Sequence, residues 1–186
     1  MDLELSSLNI EVQPELAEAI LNKKMGKEYF CWLIIKAIDK KVSGNGGKIN
    51  KQKLIKILLE ITNRSRFSIS RYINNGENIF WRFDKNDNNI LYLNSFFKIC
   101  SFFNIDFIYS NNVIYNLSFI LEDFNMCNKL LLSAVASKKN SPVSNINLSS
   151  RCNLSKTTVK SYLNEAQEYG IIEKMNNFEI LYENNS

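Results

Sequence analysis

From Glu15 to Tyr169 the apolar residues recur mostly at helical spacing. Glu15 to Met25 places Leu16, Ala19 and Ile20 on one face, and Lys27 to Lys41 places Phe30, Leu33, Ile34, Ala37 and Ile38 at i, i+3, i+4, i+7 and i+8. The run SGNGG (43–47) breaks the pattern. A new helix follows in KINKQKLIKILLEI, with Asn50 as its N-cap and Leu54, Leu58 and Ile61 inward. Asn63 to Ser65 predicts a tight turn, and SRFSISRYINNG (65–76) a shorter helix that Gly76 ends. Beyond it the period changes, because NIFWRF and ILYL are β-prone and flank the Asn- and Asp-rich KNDNN (85–89), a hairpin signal.

The same order returns downstream. Phe124 to Val135 predicts an amphipathic helix, and Val143 to Cys152 a short helix with Leu148 inward. Asn153 and Leu154 turn the chain, and Ser155 caps a long helix that runs to Tyr169 and stops at Gly170. IIEKM and FEILY around Asn176 and Asn177 predict a second hairpin. At a constant offset of 90, SRFSISRYINN (65–75) lies over SKTTVKSYLNE (155–165). Ser65 then matches Ser155, Arg66 Lys156, Ile69 Val159, Tyr72 Tyr162, Ile73 Leu163 and Asn74 Asn164. Such a match predicts a tandem duplication of one helix-turn-helix-hairpin unit.

Charge adds a direction to this plan. The net charge of +4 is zoned: residues 1–22 carry −5, residues 23–105 carry +10 and residues 106–186 carry −1. From Lys129 to Ser161 there are six bases and no acid. Zoning of this kind points to a face that meets a polyanion, with a solvated lysine-rich surface as the plain alternative. Composition also excludes chemistries. The chain has no histidine, so a His-based triad, a His-ligated metal or a His general base is ruled out. The SGNGG loop is no phosphate cradle, since a P-loop would need Gly at Val42 and Ser or Thr at Ile49. Cys31, Cys100, Cys127 and Cys152 show no C-x-x-C spacing and are expected to be reduced core thiols. No catalytic residue, cofactor or metal site is therefore expected. The acidic opening MDLELSSLNIEVQPE is unlike a secretory signal, and the longest apolar run, Tyr29 to Ile35, is too short for a bilayer, so a cytoplasmic location and no membrane partner are expected.

The string INLSSRCNLSKTTVKSYLNEAQEYGIIEK (146–174) resembles the winged helix-turn-helix superfamily, and in particular the reader heads of bacterial repressors of the MarR and GntR type. The upstream stretch from Ile49 to Leu93 is similar in order but has a shorter second helix and the different wing FWRFDKNDNNILYL. Two such units in one small chain resemble the replication initiators and regulators of plasmids and phages. The resemblance implies a mainly α fold with small β-hairpin wings, arranged as two tandem winged helix-turn-helix domains. On that plan 1–22 is an acidic N-terminal segment and the start of the first helix, 23–105 the first domain, 106–122 an aromatic connector and 123–186 the second domain.

A helix in the major groove presents its first turns to base edges, with long donors flanking them for phosphates. With Ile69, Tyr72 and Ile73 inward, the upstream helix leaves Arg66, Phe67, Ser70 and Arg71 outward, and Arg64 lies in the turn before it. With Val159, Tyr162, Leu163 and Ala166 inward, the downstream helix leaves Lys156, Thr157, Lys160, Ser161 and Asn164 outward. Arg82 and Lys85 on the first hairpin suit a wing reaching phosphate or minor groove, or equally a solvated tip. Phe67 is expected to pack beneath the wing, with pressing on a thymine methyl the alternative. Lys51, Lys53 and Lys56 are either phosphate contacts or an exposed helix face. The aromatic residues between Phe96 and Phe124 are expected to join the two units, with homodimerisation through 96–124 the alternative. The expected function is sequence-specific binding of double-stranded DNA by a regulator or replication factor of a mobile element. The competing function is a winged-helix scaffold that binds a protein partner, as in chromosome-condensing complexes.

Overall fold

Two layers of helix, each closed by strands, share one apolar core in this computed structural model, which describes residues 9–42, 47–106, 112–137 and 144–171. The first strand, β1 (Asn9–Val12), leads into α1 (Pro14–Asn22), which starts on a proline whose missing N–H is one the helix would leave unpaired anyway. Helix α2 (Gly26–Val42) follows, then β2 (Lys48–Asn50), α3 (Lys51–Thr62), α4 (Arg66–Asn75), β3 (Trp81–Phe83), β4 (Ile90–Leu93) and α5 (Phe96–Phe102). The rest comprises β5 (Val113–Asn116), α6 (Ser118–Glu122), a 3-10 turn at Phe124–Met126, α7 (Cys127–Ala136), α8 (Asn145–Arg151) and α9 (Lys156–Glu168).

In the upstream half, β2, β4 and β3 form an antiparallel sheet in that spatial order, with Lys48 and Arg82 both opposite Tyr92. Its element order is helix, strand, helix, helix, then a two-strand hairpin. Two tryptophans fasten the hairpin to the helices, and Asn94 closes its base. Trp81 donates its indole N–H to the Ile73 carbonyl at 2.7 Å, Trp32 donates to the Asn94 carbonyl at 3.0 Å, and Asn94 donates to the Ile79 carbonyl at 2.8 Å. Gly76, at the end of α4, leaves no room for a side chain: a Cβ there would lie 2.4 Å from the Trp81 ring.

Helices α2 and α7 depart from simple amphipathicity. Tyr29 to Ile35 are all buried in α2, and Leu130 to Val135 in α7, because the two helices pack on each other and each also carries a layer of its own. A helix apolar on every side is a central one. In α1 the buried residues are Pro14, Leu16, Ala17, Ile20 and Leu21, with Ala19 at the edge of the face.

The described part of the acidic start, residues 9–22, is tied to the connector and the downstream half. Strand β1 pairs antiparallel with β5, and α1 packs chiefly on α7 of the downstream half. The Glu18 carboxylate takes both arms of the Arg151 guanidinium, and Asn22 donates to the Arg151 carbonyl at 2.7 Å. Glu18 thus neutralises a downstream cation. The aromatic connector likewise contains β5 and α6, the latter lying against α3. The rings from Phe96 to Phe124 divide: Tyr115 and Phe124 are buried, Phe96 lies 6.0 Å from Trp32, and Phe97 and Phe102 are 72% and 51% exposed. Phe107, Tyr109 and the second hairpin fall outside the described residues.

Candidate nucleic-acid interface

Each half presents a short helix, a turn and a serine-capped second helix, and the two agree at the offset of 90. Asn63 and Asn153 both take the left-handed backbone, at φ 49° and 51°, a conformation Asn tolerates better than most residues. Ser65 accepts from the Ser68 N–H at 3.2 Å, and Ser155 from the Thr158 N–H at 3.0 Å. Such caps satisfy donors that the first helical turn leaves open. Burial agrees as well, with Leu58, Thr62, Ile69, Ile73 and Gly76 buried in one half and Leu148, Cys152, Val159, Leu163 and Ala166 in the other. What remains outward is therefore nearly the same set: 67, 71 and 74 are exposed and 70 half-buried on α4, and 157, 160, 161 and 164 are exposed on α9. At i, i+3, i+4 and i+7 each set lies along one helix face.

The side chains on these faces differ in freedom. On α4, Arg66 is exposed and donates to the Gln52 side-chain oxygen of α3 at 2.9 Å, and Arg71 is exposed with its guanidinium 5.6 Å from the Tyr72 ring. Ser70 is half-buried between them. Phe67 does not pack beneath the wing. It is 77% exposed, because it lies across the helix from Ile69 and the hairpin is fastened instead at the helix's far end, where Trp81 bonds the Ile73 carbonyl. On α9, Lys156, Lys160 and Asn164 are exposed. The Thr157 hydroxyl is 2.8 Å from the capping Ser155 hydroxyl, and Ser161 donates to Glu165 at 2.7 Å, so both are engaged inside the helix.

Arg64 has a different setting from the rest. Its guanidinium donates to the Asn125 side-chain oxygen at 2.6 Å, lies 4.0 Å from Asp123, and sits 5.9 Å from the Phe124 ring. Tyr72 meets that ring at 6.1 Å. Arg64 thus braces the turn before α4 against the start of the downstream half, a role that needed tertiary structure to see.

The hairpin adds two exposed cations to the upstream half. Arg82 is exposed, 5.1 Å over the Tyr92 ring, and Lys85 is exposed at the turn. Asp84 organises this turn, accepting the Asn86 N–H at 2.9 Å, the Asp87 N–H at 3.2 Å and the Tyr92 hydroxyl at 3.1 Å. The Asn86 N–H first, then the Tyr92 hydroxyl, hold its carboxyl below the usual range. The sheet register adds Lys48, which shares the Tyr92 row with Arg82 and which spacing along the chain gave no reason to single out. Lys53 and Lys56 are exposed on α3, whereas Lys51 is half-buried over the Phe83 ring at 4.5 Å.

Downstream, the buried Lys129 of α7 pairs with Glu165 of α9. That bond, with the one from Ser161, holds the Glu165 carboxyl below its ordinary range. The pair fixes how α9 sits on α7. Residues 137–173 match a family model described as winged helix-turn-helix DNA-binding. The downstream helix pair is therefore similar to winged helix-turn-helix DNA-binding domains, whose partner is DNA. No curated protein and no solved structure gives a significant match.

The four thiols are buried and free, and burial pushes Cys100 and Cys152 up to about 11 and Cys31 and Cys127 higher still, which makes them poor nucleophiles. Among the described residues no group of three or more Cys, Asp or Glu side chains is placed to hold a metal ion, and no helix is long and apolar enough to cross a membrane.

Proposed function

We propose that the chain is a non-catalytic, sequence-specific binder of double-stranded DNA, built from two tandem winged helix-turn-helix domains of the MarR or GntR reader type. It acts in the cytoplasm on replication or transcription of a mobile element. The observation that carries this reading is the agreement of the two capped helices in turn conformation, cap, burial and outward positions. Arg66, Arg71, Arg82 and Lys85 with Ser70 form the upstream contact set, and Lys156 and Lys160 with Thr157, Ser161 and Asn164 the downstream one. Arg offers two donors to guanine, whereas Lys suits phosphate, so the upstream helix supplies the greater share of base recognition. A homodimer through the aromatic segment would use Phe97 and Phe102, its two open rings among the described residues.

A second reading concerns the downstream half alone. Its Thr157 and Ser161 hydroxyls are engaged internally, and Ile146 and Tyr169 stand about half exposed, which favours a protein partner at that end. Gel-shift of the purified chain on the DNA upstream of its own gene, against random duplex, tests both. Specific binding that Lys156→Ala/Lys160→Ala weakens supports two DNA-contacting units. Specific binding indifferent to that pair supports the second reading for the downstream half, and no binding refutes both. Substitution suits the question better than truncation, because α2 packs on α7 in one core.

A further inference from the structure

Resting on that DNA-binding reading, we propose that Phe67 is a base-reading residue, which recognises the C5 methyl of a thymine one or two base pairs from the base that Arg71 contacts. Among the described residues Phe67 is the most exposed large apolar side chain, at 77%. It is the second residue of α4, two positions after the Ser65 cap, in the turn that a groove-binding helix presents to base edges. Its surroundings are cationic and polar: Arg66 precedes it, Arg71 lies one turn on, and Gln52 of α3 is held at the same end by the Arg66 bond. An apolar protein partner would meet an arginine-lined rim there, whereas a polyanion matches it. Within the duplex, a phenyl ring has no donor or acceptor for the hydrogen-bonding edges. The apolar feature of the major groove is the thymine methyl, so that is what the ring can select. Phe67 and Arg71 are i and i+4 on one face, about 6 Å apart along the axis. With base pairs stacked at about 3.4 Å, the two side chains meet bases one to two steps apart.

Deoxyuridine tests this directly, since it removes the methyl and leaves the pairing edge intact. A duplex is first selected by the full-length chain from a random pool, and each thymine is then replaced in turn. For the unaltered chain, at least one replacement should weaken binding about fourfold, the worth of one buried methyl group. Phe67→Ala should bind the thymine and uracil forms of that position equally, while Arg71→Ala keeps the fourfold difference. Phe67 lies outside the core, so its melting temperature should stay that of the parent. The proposal is overturned if uracil is tolerated at every position, if Phe67→Ala retains the same sensitivity, or if sedimentation shows that Phe67→Ala splits a dimer. A chain that selects no duplex at low salt overturns the DNA-binding reading itself, and Phe67's role with it.

Discussion

The Lys129–Glu165 pair decides how firmly the downstream helix is held, and its removal has a size that follows from burial. The Lys129 side chain is 11% exposed and that of Glu165 35%. Breaking a fully buried pair from one side costs about 3–5 kcal/mol, whereas an exposed pair is worth about 0–1 kcal/mol. With the cation buried and the carboxylate a third open to solvent, Glu165→Ala should cost about 2 kcal/mol, chiefly from the stranded ammonium. At about 2–4 °C per kcal/mol for a chain of this size, thermal unfolding followed by circular dichroism should shift down by about 4–8 °C. Adding Lys129→Met removes the stranded charge while filling its volume, and should restore most of the loss. The sign with pH is fixed too. Because Lys129 and Ser161 hold the folded carboxyl below its unfolded value, the pair's contribution is fully present above about pH 4.3 and is lost as pH falls through the lower folded value. The gap between parent and Glu165→Ala should therefore close in acid. If Glu165→Ala melts with the parent, or Lys129→Met restores nothing, the pair does not hold α9 on α7.

Other consequences are checked by standard assays. Arg71→Ala should relax sequence preference and cost about 1–3 kcal/mol on a selected site, while Lys160→Ala should weaken all duplexes alike in a competition titration. If some six of the exposed Lys and Arg neutralise phosphates, affinity should fall by about three decades between 50 and 200 mM salt, and a flat response in fluorescence anisotropy would refute a phosphate-bound interface. Gly76→Ala drives a methyl into the Trp81 ring and should destabilise the chain by about 1–3 kcal/mol in urea unfolding, with unchanged stability counting against a rigid junction of α4 and hairpin.

Much of the binding architecture was legible locally. Asn50, Ser65 and Ser155 announce their caps, Gly76 and Gly170 their helix ends, and KNDNN its hairpin, because each signal acts within a few residues. Outward positions on α4 and α9 followed from helical period alone. The pairing of β1 with β5 was not legible, since it joins two four-residue strands about a hundred positions apart, and β2 is only three residues long. Glu18 meets Arg151 across 133 positions, so the allegiance of the acidic start to the downstream half is a tertiary fact. The same holds for Arg64 on Asn125, for Gln52 on Arg66, and for Phe67, whose exposure depends on where the hairpin is fastened.

The central claim is that two recognition helices, held by one core, meet a single duplex together. Hydroxyl-radical footprinting of the full chain on a selected duplex measures this most directly. Two protected patches centred about 10 base pairs apart are predicted, since helices in fixed relation reach successive major grooves at one-turn spacing. Five base pairs inserted between the patches should abolish the weaker one and reduce affinity toward that of a single helix. One patch on the parent duplex, or two patches whose binding ignores the insertion, would contradict the account.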